Sequence, residues 1–320
     1  MSAKIYIISG FLGSGKTTLI QKILKENFLK GKTVLVENDF GEISVDAALL
    51  RDSHIEVREL SEGCVCCTLF NDFRKALKEL LERYQPDNIM IEPSGVGKLS
   101  DIIKACSDAH ILPLAKIEKK ITIVDTGRCK GFIDNFGEFY KDQIKNADIV
   151  VLSRIETHPE KVDDVLQLIR ECNAHSMIVS RPLNEINTEE ILFPNIVPIE
   201  YKSGMQHEHN HDEDCCVHDH NRSCDHDHSA EEVFDTVTIH MKRVYSQEDL
   251  KVSFADMEKR ACGTILRAKG IVRSKTGYLN LQYLSGDLKI ENCEAEGNML
   301  CFIGCDLEKK ELVNIFEEEV

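Results

Sequence analysis

The sequence predicts an α/β fold in which a doubly wound parallel sheet is followed by a smaller α+β domain. Up to Tyr201, short apolar runs rich in β-branched residues alternate with helical patterns, which is typical of a parallel sheet covered on both faces. Residues 202–230 are almost devoid of apolar side chains and cannot form a core. Beyond them, runs such as TVTIH and YLNLQYL indicate antiparallel strands.

The predicted elements follow in chain order. Strands of the larger domain are predicted at KIYIIS, TVLVEN, IEVREL, NIMIEP, KKITIVD, ADIVVLS and SMIVS, with helices at TTLIQKILKENF and LFNDFRKALKELLERY. Strands of the smaller domain are predicted at EVFDTVTIHM, GTILRAKGIVR, TGYLNLQYL and NMLCFIG, with helices at SQEDLKVSFADMEKR and LEKKELVNIFEEE. We therefore divide the chain into a larger domain at 1–201, a flexible linker at 202–230 and a smaller domain at 231–320.

Composition excludes several classes of function. The formal net charge of −16 argues against binding to nucleic acid or to an anionic membrane surface and favours cations as partners. No apolar run approaches the roughly 18 residues that a membrane span requires, and the start MSAKIYIISG does not resemble a secretory signal, so we expect a soluble, cytoplasmic protein. Thirteen cysteines in such a protein point to metal or redox chemistry where they cluster. The scattered ones are expected to be buried free thiols, namely Cys106, Cys129, Cys172, Cys262, Cys293, Cys301 and Cys305.

The stretch GFLGSGKT fits the phosphate-loop pattern G-x-x-x-x-G-K-[ST] and lies between a predicted strand and a predicted helix, as the motif requires. Glycines allow consecutive backbone N–H groups to face one phosphate, Lys16 reaches the β and γ oxygens, and Thr17 binds Mg²⁺. We therefore predict binding of a nucleoside triphosphate. The residues assigned to it in this segment are Gly10, Gly13, Ser14, Gly15, Lys16, Thr17 and Thr18.

Catalysis also requires acidic groups near Mg²⁺, a hard ion that prefers oxygen ligands. Two acidic segments end predicted strands: Glu37, Asp39 and Glu42 follow TVLV, and Glu92 follows NIMI. Ligands of open α/β sheets bind at the carboxyl ends of the strands, which makes these carboxylates candidates. Catalytic roles are assigned to Lys16, Thr17, Asp39 and Glu92.

Three thiols lie within four residues of the segment EGCVCC, directly after the predicted strand IEVREL. In a parallel sheet this segment leaves on the same edge as the phosphate loop. A disulfide among such close neighbours would be strained, whereas a soft metal ion takes thiolates directly. A further ligand is needed, and a redox-active pair or plain buried thiols stay open as alternatives. The proposed ligands are Cys64, Cys66 and Cys67, with Glu37, Glu42 or His54 as candidates to complete the site.

Together these features resemble the CobW family of P-loop GTPases, relatives of the hydrogenase and urease maturation proteins HypB and UreG. The matching segments are SGFLGSGKTT, ENDFGE, EGCVCCTL, IEPSGV, ITIVD and RAKGIV. The resemblance implies GTP-dependent delivery of zinc or cobalt to a client metalloprotein, and some members serve cobalamin synthesis. It also implies that Gly13, Gly15, Lys16 and Thr17 hold phosphates and Mg²⁺, that Glu92 and Gly95 sense the γ-phosphate, that Cys64, Cys66 and Cys67 bind metal, and that Glu37 and Glu42 lie on the switch.

The guanine signature departs from the family pattern. Where members usually carry an N-K-x-D-like segment, this chain has Ser153, Arg154 and Glu156. Ser153 can still hydrogen-bond, Arg154 can lie over the base, and Glu156 can accept from the guanine N1 and N2 donors, although its extra methylene shifts that geometry. A carboxylate acceptor suits guanine and not adenine, so GTP is favoured, while ATP or dual use stays open.

Residues 202–230 alternate imidazole and thiol groups with Asp and Glu. At this density they form weak, interchangeable sites for Zn²⁺, Co²⁺ or Ni²⁺, which favours metal loading or buffering over a plain acidic linker. The groups concerned are His207, His209, His211, His218, His220, His226 and His228, with Cys215, Cys216 and Cys224.

These features lead to one mechanistic hypothesis and two alternatives. GTP and Mg²⁺ order the segment from Glu37 to Glu42 and thereby set the geometry around EGCVCC, while hydrolysis relaxes it. With no obvious water-positioning glutamine or arginine finger, intrinsic turnover is expected to be slow. A P-loop kinase or ATPase with structural cysteines and a passive metal-storage protein are the competing classes. The sequence leaves the client, the physiological metal and the oligomeric state open.

Overall fold

The structure is a computed structural model, and it describes residues 2–37, 56–59, 69–193 and 230–317. Its larger sheet contains seven parallel strands in the order β3-β2-β4-β1-β5-β6-β7. The strands are β1 (Ala3–Gly10), β2 (Thr33–Glu37), β3 (Glu56–Glu59), β4 (Asn88–Glu92), β5 (Ala115–Asp125), β6 (Ile149–Ser153) and β7 (Met177–Val179). Successive side chains of β1 are buried on opposite faces, as expected for a sheet covered on both sides.

Helices cover both faces of this sheet. They are α1 (Lys16–Glu26), α2 (Leu69–Tyr84), α3 (Leu99–Cys106), α4 (Cys129–Lys145), α5 (Val162–Cys172) and α6 (Thr188–Leu192), with short 3₁₀ turns at Pro159–Lys161 and Leu183–Glu185. Apolar side chains of α1 and α6 pack on one face, and those of α2 to α5 pack on the other. The predicted doubly wound α/β domain is therefore confirmed.

The second sheet is antiparallel, with the strand order β11-β10-β9-β12-β8. Its elements are α7 (Ala230–Val233), β8 (Asp235–His240), α8 (Gln247–Arg260), β9 (Thr264–Ser274), β10 (Gly277–Leu284), β11 (Asp287–Cys293), β12 (Met299–Cys305) and α9 (Lys309–Glu317). Helices α8 and α9 cover one face, where the rings of Phe254 and Phe316 lie 5.1 Å apart. This confirms the predicted α+β domain and adds β11, which the sequence analysis did not predict.

The two domains share an apolar cluster. Phe234 follows α7, and its ring centroid lies 5.1 Å from that of Phe139 on α4 and 6.2 Å from that of Phe11. Leu266 and Ile303 of the second sheet belong to the same cluster. The smaller domain therefore packs beside the loop that follows β1. The predicted boundary at 201 lies outside the described residues, and that at 230 falls on the first residue of α7. Both boundaries stay predictions.

Cysteines of the described residues differ in exposure. Cys106, Cys129 and Cys301 are buried, Cys172, Cys293 and Cys305 are partly buried, and Cys262 is exposed. The expectation of a buried thiol is wrong for Cys262, because it lies in the loop between α8 and β9. Among the described residues, no helix is both long enough and apolar enough to span a bilayer.

Burial is expected to protect two of these thiols from alkylation. It raises the pKa of Cys106 to about 12 and that of Cys129 to about 11, and the thiolate is the reacting form. In the folded protein at pH 8, we expect iodoacetamide to modify Cys262 and to leave Cys106 and Cys129 intact until denaturant is added, as measured by peptide mass spectrometry. Modification of Cys106 as rapid as that of Cys262 in the folded protein would contradict the packing described above.

Candidate functional site

The phosphate loop connects the end of β1 to the start of α1. Gly10, Gly13 and Gly15 have φ angles of 147°, 65° and 108°, a range in which L side chains are strained. The Ser14 hydroxyl is buried and has no hydrogen-bond partner among the described residues, and Lys16 Nζ lies 3.4 Å from the Phe11 carbonyl oxygen. A loop with glycine backbone, an unsatisfied buried hydroxyl and a buried lysine fits a phosphate group.

The outer side of this loop is packed against apolar groups. The ring centroid of Phe11 lies 4.6 Å from that of Phe132 and 5.6 Å from that of Tyr140, both on α4. Leu12 lies against Gly95, where a Cβ would come within 3.0 Å of the Leu12 nitrogen. The loop is therefore held from behind, and Gly95 has no room for a side chain.

Acidic groups meet the start of α1 at the carboxyl ends of β2 and β4. Thr17 Oγ1 donates to the Glu92 carboxylate, with distances of 3.2 and 3.3 Å to its two oxygens. Glu37 is the Cα partner of Glu92 across the two strands and is 7% exposed. A hydroxyl beside a carboxylate at a helix N-terminus is a donor set that suits Mg²⁺. The structure thus brings together Thr17, Glu92 and Glu37, whose predicted roles stay predictions.

The strand that leads to the cysteine segment ends on the same edge. β3 runs parallel to β2, and Glu59 is the Cα partner of Glu37. Cys64 follows Glu59 by five residues. Within the described ranges, no three His, Cys, Asp or Glu side chains are grouped so that they could hold a metal ion. The remaining predicted acidic and metal-binding residues lie outside those ranges, namely Asp39, Glu42, His54, Cys64, Cys66, Cys67, His207, His209, His211, Cys215, Cys216, His218, His220, Cys224, His226 and His228.

Two of the predicted guanine-binding residues, Ser153 at the end of β6 and Arg154 after it, contact the phosphate loop. Ser153 Oγ donates to the Ser14 carbonyl oxygen at 2.7 Å. Arg154 donates to the Gly13 carbonyl oxygen at 3.0 Å and also to the Asp125 carboxylate. Glu156 is exposed and forms no hydrogen bond or ion pair with the described residues, so its carboxylate is available to a ligand.

Two residues at this site were not predicted. Gln143 on α4 is buried and donates to the carbonyl oxygens of Gly95 and Gly97 at 3.2 and 2.8 Å, which fixes the segment after β4. Asp125 ends β5 on the edge that carries the phosphate loop, so the rule that ligands bind at carboxyl ends of strands could have identified it. No local signal marks Gln143, because its partners are 46 and 48 residues away.

Residues 4–180 match the model of the CobW/HypB/UreG nucleotide-binding domain, and residues 234–319 match that of the cobalamin synthesis protein cobW C-terminal domain. The chain belongs to the CobW/HypB/UreG family. The predicted resemblance to CobW proteins is therefore confirmed, as is the prediction of a P-loop GTPase of this family.

Three characterised relatives of this CobW-family chain carry names that mention zinc. The chain is 25% identical over 303 residues to the zinc chaperone YeiR of Escherichia coli, covering 89% of this chain and 87% of that protein. It is 31% identical over 179 residues to the zinc chaperone CobW of Sinorhizobium, covering 47% and 50%. It is 24% identical over 244 residues to zinc-regulated GTPase metalloprotein activator 1 of Dictyostelium discoideum, covering 63% and 50%. The matched region thus spans about half the length of the last two relatives.

Replacing Glu92 by Gln retains the shape of the side chain but removes the charge beside Thr17. We expect Mg²⁺-dependent binding of a fluorescent GTP analogue to weaken by about tenfold or more, because an amide is a poorer ligand for a hard cation. Glu171→Gln, on the exposed end of α5, is the control and is expected to bind normally. An equal loss for Glu92→Gln in Mg²⁺-free buffer would count against a magnesium role.

Replacing Glu156 by Ala removes the only carboxylate in the Ser153–Glu156 segment. We expect GTP affinity to fall by about tenfold or more, with ATP affinity unchanged, because hydrogen bonds to a charged acceptor are lost only with guanine. Glu160→Ala is the control, since that exposed carboxylate lies near His158 instead. Competition binding of GTP and ATP measures the effect, and equal affinity of the parent protein for both nucleotides would refute guanine selection.

Proposed function

We propose that this protein is a cytoplasmic zinc chaperone in which GTP binding and hydrolysis control transfer of the ion to a client metalloprotein. Thr17 and Glu92 would hold the Mg²⁺ ion that accompanies the nucleotide. Zinc binds to Cys64, Cys66 and Cys67, with Glu37 or Glu42 in support. The names of the relatives favour zinc over cobalt, and they support a metal ion and a protein client as partners.

One observation carries the proposal. β4, β2 and β3 are neighbours in the parallel sheet, so Glu92, Glu37 and Glu59 end side by side. Thr17 of the phosphate-loop helix contacts the first of these residues, and the cysteine segment begins shortly after the last. Five residues of extended chain span at most about 18 Å, so the chain length alone limits Cys64 to that distance from Glu59. In this proposal, the segment between β2 and β3 connects a metal site at this edge to a nucleotide on the phosphate loop.

The free energies of coupling and of zinc binding restrict how the ion is released. Coupling between two ligand sites is typically worth about 1 to 3 kcal/mol, whereas thiolate-rich zinc sites bind with about 10 to 16 kcal/mol. Hydrolysis therefore does not expel the ion into water. The ion passes by ligand exchange onto a docked client, and the nucleotide state determines whether docking and exchange occur.

The histidine-rich residues 202–230 supply metal to the cysteine site in this proposal. Their imidazole groups include His207, His209 and His211, and weak sites of this kind exchange ions readily. The competing interpretation as a P-loop kinase receives no support from the family match, and passive storage leaves the phosphate loop without a role. Lys16→Ala distinguishes passive storage from a GTP-dependent chaperone, because a storage protein with this substitution would retain its function in cells.

Zinc affinity is expected to depend both on the cysteine segment and on the nucleotide. We expect Cys66→Ala to weaken zinc binding by more than about tenfold, since loss of even an outer-shell partner of a metal costs 10- to 100-fold. Cys262→Ala is a matched control, because that exposed thiol lies in the smaller domain. The measurement is a zinc titration against a chromophoric chelator with GDP and with a non-hydrolysable GTP analogue.

Two outcomes of that titration would contradict the proposal. Equal zinc affinity of the parent protein with either nucleotide would remove the coupling. An equal loss of affinity in Cys66→Ala and Cys262→Ala would remove the specific role of the cysteine segment.

A further inference from the structure

We propose that the turn of the β10–β11 hairpin is a clamp on the phosphate loop that couples docking of the smaller domain to nucleotide binding. The clamp consists of Leu284, Ser285 and Gly286. This inference rests on nucleotide binding and does not require metal transfer.

The first contact is apolar and lies directly on the loop. A Cβ added to Gly13 would come within 2.1 Å of Leu284 Cδ2 and within 3.1 Å of its Cδ1, so the leucine side chain rests on the Gly13 backbone. Gly13 also has a φ angle of 65°. Both the contact and the backbone conformation require glycine here, and the contact lies on a loop that binds phosphate through its backbone N–H groups.

The second contact is a chain of polar groups that leads to the same glycine. Arg128 Nη2 donates to the Leu284 carbonyl oxygen at 3.1 Å, and its Nη1 lies 3.7 Å from the Asp125 carboxylate. That buried carboxylate also accepts from Arg154, which donates to the Gly13 carbonyl oxygen. Leu284 is thus connected to Gly13 twice, directly through its side chain and indirectly through its backbone carbonyl oxygen.

The hairpin is built to hold its position. Ser285 and Gly286 have φ angles of 41° and 90°, the pattern of a two-residue type I′ turn, which matches the twist of the strands. The Ser285 nitrogen and hydroxyl lie 3.1 and 3.3 Å from the Leu266 carbonyl oxygen on β9. Displacement of the tip therefore requires movement of the sheet, and not of a flexible loop alone.

Coupling follows because docking and nucleotide binding order the same backbone. Leu284 lies directly on the Gly13 backbone, and Arg128, Asp125 and Arg154 link the hairpin to the Gly13 carbonyl oxygen. Phosphates are bound by N–H groups of the same loop. Once the hairpin or the nucleotide has ordered the loop, the other binds without the entropy cost of ordering it. Docking and nucleotide binding therefore favour each other. Linkage requires the same factor in both directions, so nucleotide strengthens docking as much as docking strengthens nucleotide binding.

The test compares two leucines of one hairpin. Leu284→Ala removes the contact with Gly13, whereas Leu288→Ala removes a half-buried side chain that packs toward α8 and α9. Binding of a fluorescent GTP analogue in zinc-free buffer is expected to weaken by about fivefold or more in Leu284→Ala and to stay unchanged in Leu288→Ala. Leu284→Met, which refills the contact, is expected to restore the affinity.

A second readout follows the reciprocal effect. Amide exchange in residues 277–293 is expected to slow on GTP addition in the parent protein and in Leu288→Ala, but not in Leu284→Ala. A purely structural role of Leu284 would change exchange without altering its dependence on GTP.

Arg128→Ala keeps the proposal testable if the leucine variant folds poorly, because it leaves the smaller domain intact. It is expected to weaken GTP binding, and less than additively when combined with Leu284→Ala. GTP affinity unchanged in both single variants, or weakened equally in Leu288→Ala, would overturn the clamp. Since zinc is absent throughout, failure of the clamp and failure of zinc delivery are distinguishable.

Discussion

Packing behind the phosphate loop is the constraint on which the rest of the site depends. Phe11 and Leu12 turn away from the ligand side and pack against α4 and the segment after β4. With its outer side filled, the loop keeps its glycines at positive φ angles, which favour glycine. Burial of these two side chains supplies the apolar anchor that a purely glycine-rich loop lacks. Its favourable free energy offsets the conformational entropy that the loop loses when it is ordered.

The order of the strands explains how one edge can carry two kinds of ligand. β2 lies between β4, whose Glu92 contacts Thr17, and β3, which leads to the cysteines. The proposed coupling between nucleotide and metal therefore runs along this edge of the sheet, through the residues that connect β2 to β3 in the sequence. Oxygen ligands suit Mg²⁺ and thiolates suit zinc, so the donor atoms of the two proposed sites favour different ions.

The larger domain was predictable because most of its strands contain apolar, β-branched runs and its phosphate motif has a fixed context. The smaller domain was predictable only in part. β11 reads DLKIENC, an edge strand with polar residues on one face, and only Ser285-Gly286 marks the turn that begins it. Contacts between distant segments, such as Gln143 with Gly95 or Leu284 with Gly13, leave no local pattern. Such contacts depend on how distant elements pack, within one domain or between the two, and periodicity does not encode that packing.

This geometry explains why the guanine signature contains an arginine in place of the usual lysine. A guanidinium presents several donors in one plane, so Arg154 can serve the Gly13 carbonyl oxygen and the Asp125 carboxylate together. A lysine ammonium would have to satisfy both from a single nitrogen. Because Asp125 also lies beside Arg128, which donates to the Leu284 carbonyl oxygen, the polar contacts of Arg154 continue as far as the smaller domain. The departure in sequence therefore fits a chain in which the phosphate loop and the smaller domain are connected through one buried carboxylate.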